Sequence, residues 1–289
     1  MLYQLSYTPA GRARSKDLGC AWQGGYRTAA QSVIIALDMH APGPPRIPIE
    51  LLLRAYRGGV FPMADHRSDP EVYWVEPRER AIIPLDGFRL SKSLKKVLRQ
   101  DRFRVTCNAD FASVIEECAA PREEHAESWI SHRIEASYLD LHAAGYAHSF
   151  ECWQGDRLVG GLYGVAFDRV FCGESMFSRT TDASKVALAW LVASMRAAGY
   201  ALLDCQFMTD HLATMGAVAI PQARYVDLLA AASGYPSASL PEVAARFGAS
   251  SSPGKAIEQS LTQTSYIGCS TTLRLGEFLN SQPEKTFSN

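Results

Sequence analysis

The sequence lacks most of the features that announce a function on their own. Its 289 residues carry 29 lysines and arginines against 30 aspartates and glutamates, a formal net charge of -1. There is no positive surplus with which to coat nucleic acid in bulk. Crossing a bilayer takes roughly 20 consecutive apolar residues, and the longest such run, Val186 to Met195, is about half of that. Met1 to Ser15 lack the apolar centre of a secretory leader. The seven cysteines (Cys20, Cys107, Cys118, Cys152, Cys172, Cys205 and Cys269) are scattered, odd in number and free of any C-x-x-C pair. That argues against a disulfide framework or a zinc knuckle and fits reduced, mostly buried thiols in the cytoplasm. No two of the seven histidines stand in an H-x-x-x-H pair, so no metal site is expected. Gly173-Glu174-Ser175 starts like a nucleophile elbow, but Phe177 stands where the closing glycine belongs. A serine hydrolase is thereby excluded.

What is present is an ordinary folded composition, 47% hydrophobic and 20% charged, long enough for one large or two modest domains. Four zones differ in character. Residues 1–46 read as an irregular extension ending in the linker Pro42-Gly43-Pro44-Pro45. Residues 47–86 read as a small N-terminal α/β domain, with a helix over Pro48 to Tyr56 and short strands over Val72 to Val75 and Arg80 to Leu85. Residues 87–232 alternate helices with three consecutive antiparallel strands, His148 to Trp153, Leu158 to Phe167 and Val170 to Met176. A long helix over Asp182 to Ala198 and a strand over Ala201 to Phe207 follow, giving an α+β pattern. Residues 233–289 are Ser/Thr-rich and weakly apolar, which predicts a mostly disordered tail.

Three patterns bear on chemistry. Lys92, Lys95, Lys96 and Arg99 recur at three- and four-residue spacing and share one helix face. Such a face either stays solvated or meets phosphates. In Leu203-Asp204-Cys205-Gln206-Phe207, strand alternation puts Asp204 and Gln206 on one side and Cys205 on the other. An acid beside an amide is either a mutually satisfied structural pair or a polarised amide, Asp204 accepting from the Gln206 NH2 so that its carbonyl oxygen faces an amine. Glu174 sits in an apolar strand, as an exposed-face residue or as a site carboxylate. Trp129 lies between a charged stretch and a helix, where it either packs or stacks on a base.

An ordered series of motifs then narrows the reading. It comprises Gly59-Val60-Phe61-Pro62-Met63, Trp74-Val75-Glu76-Pro77 with Arg80-Ala81-Ile82-Ile83-Pro84, Ser128-Trp129-Ile130, and Val159-Gly160-Gly161-Leu162-Tyr163-Gly164-Val165. Gly173-Glu174-Ser175-Met176-Phe177-Ser178, Asp182-Ala183-Ser184-Lys185, Leu203-Asp204-Cys205-Gln206 and His211-Leu212 follow in order. Over about residues 47–232 the chain resembles the leucyl/phenylalanyl-tRNA–protein transferase family. The resemblance implies a small N-terminal domain and a catalytic domain of acetyltransferase-like (GNAT-type) α+β fold. It implies a cytoplasmic, monomeric enzyme without cofactor. Such an enzyme moves Leu or Phe, with Met a further donor, from aminoacyl-tRNA to protein substrates whose N-terminus is Arg or Lys. The product is marked for N-end rule degradation.

By the same resemblance Asp204, Gln206 and Glu174 are catalytic, and Leu162, Phe171 and Leu191 form the amino-acid pocket. Met63 and Trp129 hold the terminal adenosine, with Met63 standing where other members have an aromatic. The Lys92, Lys95, Lys96 and Arg99 face becomes an acceptor-stem contact. Two rivals remain: a leucyltransferase for acidic N-termini, and an acetyl-CoA-dependent N-acetyltransferase. The second is opposed by Asp182, which places negative charge where pyrophosphate would meet the long helix.

Overall fold

The computed structural model describes residues 46–121 and 127–263. Residues 1–45 of the expected extension, with Cys20, and the tail beyond 263, with Cys269, lie outside the described residues. Within them the chain is a mixed α/β structure built on one large sheet.

Helix α1 (Ile49–Arg57) buries Leu52, Leu53 and Tyr56 and ends at Gly58. Gly59 follows at φ +78, the left-handed region that glycine enters without steric cost. Strand β1 (Phe61–Met63) pairs antiparallel with β2 (Tyr73–Val75) in a separate two-stranded sheet. Next come β3 (Glu79–Ile83), α2 (Lys92–Arg99, capped by the Ser91 hydroxyl), β4 (Arg104–Cys107), α3 (Phe111–Ala119) and α4 (His132–Ala143). The meander β5 (Ala147–Gln154), β6 (Arg157–Phe167) and β7 (Val170–Ser178) follows. Its turns place Gly155 at φ +58 and Asp168 at φ +50, as short hairpin loops require. Helix α5 (Ala183–Ala198) ends at Gly199, left-handed at φ +78. Then come β8 (Leu202–Gln206), the short α6 (Asp210–Thr214), β9 (Val218–Pro221) and α7 (Gln222–Ala231). Two last helices, α8 (Leu240–Gly248) and α9 (Pro253–Thr262), close the described chain.

The large sheet has seven strands in the order β4-β5-β6-β7-β8-β3-β9. Every pairing is antiparallel except β7 with β8. Its two faces carry separate apolar cores. One is centred on α5 with α2, α8 and α9, where Leu188, Leu191, Trp190 and Met195 pack on Leu162, Phe171, Leu203 and Cys205. The other lies under α1, α3, α4 and α7, where Tyr56, Phe61, Tyr138 and Tyr225 pack on Ile82, Tyr163 and Cys172. Among the described residues no helix is long and apolar enough to cross a membrane.

Two boundaries differ from expectation. Strand β3 does not belong with the N-terminal segment: it is threaded into the large sheet between β8 and β9. β3, inside the residues 47–86 read as a separate unit, thus belongs to the large sheet. Of the tail 233–289 expected to be mostly disordered, the described part, up to residue 263, instead folds as α8 and α9. Composition hid their start signals, a Ser239/Glu242 capping box with Pro241 in the first turn, and Pro253 at the head of α9. Leu240, Val243, Ala244, Ile257 and Leu261 bury an apolar stripe against the core, and Arg196 on α5 donates to the carbonyls of Leu261 and Gln263.

Candidate active site

The site forms where the parallel pair comes apart. β7 and β8 run together only from Val170/Leu202 to Cys172/Asp204. Beyond that point β7 continues against β6, and β8 against β3. Each strand carries one extra residue at the parting. On β7, Gly173 pairs with Gly164 and Ser175 with Tyr163, so Glu174 is bulged. A Cβ at Gly164 would lie 2.2 Å from the Cys172 carbonyl oxygen, so only glycine fits beneath that bulge. On β8, Asp204 pairs with Ile82 and Gln206 with Ala81, so Cys205 is bulged. Bulges bend a strand and re-aim its side chains. Here the two face each other, and Gln206 completes the second one at φ +62, a left-handed setting that a side chain disfavours.

The polar groups so aimed form one buried chain. Asp204, fully buried, accepts from four donors: Arg80 Nε at 2.9 Å, Arg80 Nη2 at 2.6 Å, the Tyr225 hydroxyl at 2.9 Å and the backbone N–H of Gln206 at 2.8 Å. The Gln206 side-chain NH2 donates to Glu174 Oε1 at 3.0 Å. Glu174 also accepts from the hydroxyls of Tyr56 at 2.8 Å and Tyr138 at 3.2 Å, and those two hydroxyl oxygens lie against each other. Burial pushes the Glu174 carboxyl up to about 7; the three donors oppose that rise, and the charge of Asp204 adds to it. Burial weighs against the Arg80 charge, but Asp204 beside it more than offsets that and raises the guanidinium above its ordinary range.

An open pocket adjoins this chain on the α5 side of the sheet. Its wall is mostly apolar: Leu162 on β6, Met176 on β7, Leu188 and Leu191 on α5, Leu203 and Cys205 on β8, and Leu212 on α6. Gly173, Glu174, Ser175, Thr209 and His211 also line it. Burial raises the thiols of Cys107, Cys152, Cys172 and Cys205, which keeps them protonated and poor as nucleophiles. Among the described residues no group of three His, Cys, Asp or Glu could hold a metal ion.

The structure brings Asp204, Gln206 and Glu174 together, with one change of role. Asp204 does not accept from the Gln206 amide: it binds that residue's backbone, and Glu174 takes the NH2. Leu162 and Leu191 line the cavity. Phe171 does not; it packs in the core beneath it, its ring close under Gly164. Cys205 faces away from Asp204 and Gln206, and that direction is the cavity wall.

Met63 is buried, Trp129 is half-buried, and the Ala64 N–H donates to the Trp129 carbonyl at 3.2 Å. The two expected adenosine contacts thus stand on adjoining segments. On α2, Lys92, Lys96 and Arg99 are exposed and Lys95 is half-buried. Arg99 is already engaged, its Nε and Nη2 bonding both oxygens of Glu258 on α9 at 2.6 and 2.7 Å. The sequence reading missed Arg80, Tyr225, Tyr56 and Tyr138. Arg80 alone left a signal, a charged residue opening an apolar strand.

A family model described as leucyl/phenylalanyl-tRNA protein transferase matches residues 82–230, and one described as the N-terminal domain of that enzyme matches residues 46–78. A Novosphingobium aromaticivorans protein named leucyl/phenylalanyl-tRNA–protein transferase is 56% identical over 259 residues, spanning 77% of this chain and 98% of its own length. A Rhizorhabdus wittichii protein of the same name is 59% identical over 185 residues, spanning 64% of this chain and 75% of its own. One from Zymomonas mobilis is 57% identical over 182 residues, spanning 63% and 68%.

Proposed function

The chain belongs to the leucyl/phenylalanyl-tRNA protein transferase family, and from that premise we propose that it moves Leu or Phe, with Met a further donor, from aminoacyl-tRNA to the N-terminal Arg or Lys of proteins. The product of that reaction is a protein marked for N-end rule degradation, and the setting is the cytoplasm. The catalytic unit is read as a GNAT-type domain carrying a monomeric enzyme. The observation that carries the reading is the Asp204–Gln206–Glu174 chain at the parting of β7 and β8, beside an apolar cavity.

An aminoacyl ester is already activated, so its aminolysis calls for no ATP, metal or covalent nucleophile. The side chain of the donor amino acid enters the cavity between Leu162 and Leu191. The acceptor α-amino group, with an ordinary pKa of about 7.7–8.0, attacks the ester carbonyl as the neutral amine. With its NH2 held by Glu174, Gln206 offers Oε1 to an amine N–H and orients the nitrogen lone pair. The C–N bond forms, the C–O bond to the tRNA ribose breaks, and the amine proton leaves while the ribose oxygen gains one. Glu174, poised near neutral pH, is the nearby group suited to take part in that proton transfer. Lys92, Lys95 and Lys96 supply positive charge for the acceptor stem, and Met63 and Trp129 serve the terminal adenosine.

The acetyl-CoA reading is disfavoured because the Asp182 carboxylate stands at the N-terminus of α5, paired with Lys185 at 3.2 Å. Its negative charge would oppose a pyrophosphate there. The deciding experiment offers the enzyme a labelled mixture of aminoacyl-tRNAs with peptides beginning Arg, Lys, Asp or Ala. Leu and Phe on Arg and Lys peptides are the expected products. Transfer to Asp peptides would move the chain to the acidic-acceptor reading, and no transfer with tight acetyl-CoA binding would overturn the assignment.

A further inference from the structure

Arg80 is the largest fully buried side chain among the described residues. A buried guanidinium seldom adds stability over an apolar side chain of similar size, so its retention asks for another reason. Its surroundings fix it on every side. Nη1 donates to the Gly59 carbonyl at 3.0 Å, and the Phe61 and Tyr225 rings lie 4.8 and 4.3 Å from its central carbon. Gly59 and Phe61 belong to the N-terminal segment, which is matched by its own family model. The remaining two donors, Nε and Nη2, fork onto the two oxygens of Asp204. Such bidentate pairs fix orientation as well as charge.

Asp204 then acts on Gln206 through the backbone. Its Oδ1 accepts the Gln206 N–H, holding that residue at φ +62, and from that setting the side-chain amide reaches Glu174. We propose that Arg80 is a positioning residue for aminoacyl transfer: by fixing both oxygens of Asp204 it locks the left-handed turn that aims Gln206, and it ties that aim to the seating of the N-terminal segment. The proposal rests on the transferase reading given above. Arg80 touches no reacting atom; it acts through Asp204.

The electrostatics give a signature that a merely structural role would not produce. Glu174 is faced by Tyr56 from α1, Tyr138 from α4, Tyr163 from β6 and Asp204 with Gln206 from β8. Arg80 and Tyr225 stand behind Asp204, and Cys172 lies on the strand of Glu174 itself. Arg80 is the cation that balances Asp204. Without it an uncompensated anion faces Glu174, and the carboxyl of Glu174 must titrate at higher pH.

The test compares Arg80→Met, Arg80→Lys, Asp204→Asn and the double variant Arg80→Met/Asp204→Asn. Steady-state transfer is measured across pH, and the Glu174 carboxyl is followed by carbon-13 NMR in glutamate-labelled protein, assigned with Glu174→Gln. Arg80→Met is expected to lower kcat about 100-fold with KM for aminoacyl-tRNA little changed, the scale of a misplaced reacting group. The double variant is expected to be no worse than Asp204→Asn alone, because both substitutions remove one interaction. The Glu174 titration is expected to move up in Arg80→Met and to return in the double variant. Arg80→Lys keeps the charge but cannot fork, so it should restore the titration and only part of kcat. Should Arg80→Met not fold, the kcat loss with unmoved titration in Arg80→Lys carries the same test. A kcat within about threefold of wild type in Arg80→Lys and Arg80→Met, or losses that multiply in the double variant, overturns the proposal. A wild-type enzyme transferring neither Leu nor Phe overturns the functional reading instead, and the NMR titration still decides the link from Arg80 to Glu174.

Discussion

Replacing Glu174 with glutamine should change how the stability of the protein depends on pH, and the size follows from its burial. The carboxyl sits fully buried and is pushed up from 4.5 to about 7. Each pH unit of such a displacement corresponds to about 1.4 kcal/mol. Between those two values the folded protein binds a proton that the unfolded chain has released, so folding stability falls as pH rises through that interval. The full stabilisation is present below the unfolded value and lost above about pH 7. Integrated from about pH 5.5 to about pH 8.5, the loss assigned to this one group is about 2 kcal/mol. Glu174→Gln removes the titration. Its amide meets the same three donors imperfectly, which costs stability equally at every pH. Urea unfolding of both proteins across that range measures the difference. The gap between them should narrow by about 2 kcal/mol in favour of the variant as pH rises. Parallel curves would refute the assignment of a raised carboxyl to Glu174.

Other substitutions probe the remaining parts. Gln206→Ala should lower transfer about 100-fold or more with the fold retained, whereas unchanged turnover would remove the amide from the mechanism. Gln206→Gly should unfold at no lower temperature than Gln206→Ala, because glycine accepts the φ of +62; a lower melting temperature would mean the turn is not strained. Cys205→Phe fills part of the cavity wall and should reduce Phe transfer more than Leu transfer, by roughly 10-fold or more; an unaltered ratio in a donor-competition assay would take Cys205 out of the wall. Lys92→Gln with Lys96→Gln should weaken aminoacyl-tRNA binding and flatten its salt dependence by roughly one unit of slope per lost contact, and an unchanged slope excludes that face. Gly254→Ala would place a Cβ 1.9 Å from the Leu98 carbonyl oxygen, so α9 must shift, at about 1–3 kcal/mol; thermal melts equal to wild type would refute that packing.

Much of the fold was legible because its signals are local. The apolar run of α5 with Gly199 behind it, and the turns at Gly155 and Asp168, can be read within a few residues. So can the common face of Asp204 and Gln206. What was not legible depends on pairings far apart in the chain. Period-two alternation cannot reveal which residue of a strand is the extra one, so neither the bulge at Glu174 nor that at Cys205 could be placed. The exchange of partners around Gln206 follows from those bulges. Arg80 meets Asp204 across 124 positions, and nothing near Arg80 in sequence points to that partner. Tyr56 and Tyr138 are buried on helix faces, and only their hydroxyls converge on Glu174. α8 and α9 failed differently: their caps were readable, but the Ser/Thr-rich composition around them outweighed two short signals.

The sheet itself divides the labour of the site. Charged and hydrogen-bonding groups lie on its α1/α4/α7 face, the residues that bound the cavity lie mostly on its α5 face, and the two meet only where β7 and β8 part. Side chains such as Leu162, Leu191 and Cys205 therefore lie outside the hydrogen-bonded chain that joins Arg80, Asp204 and the tyrosines. On the proposed function, a library randomised on the α5 face alone should yield altered donor preference at little cost in turnover.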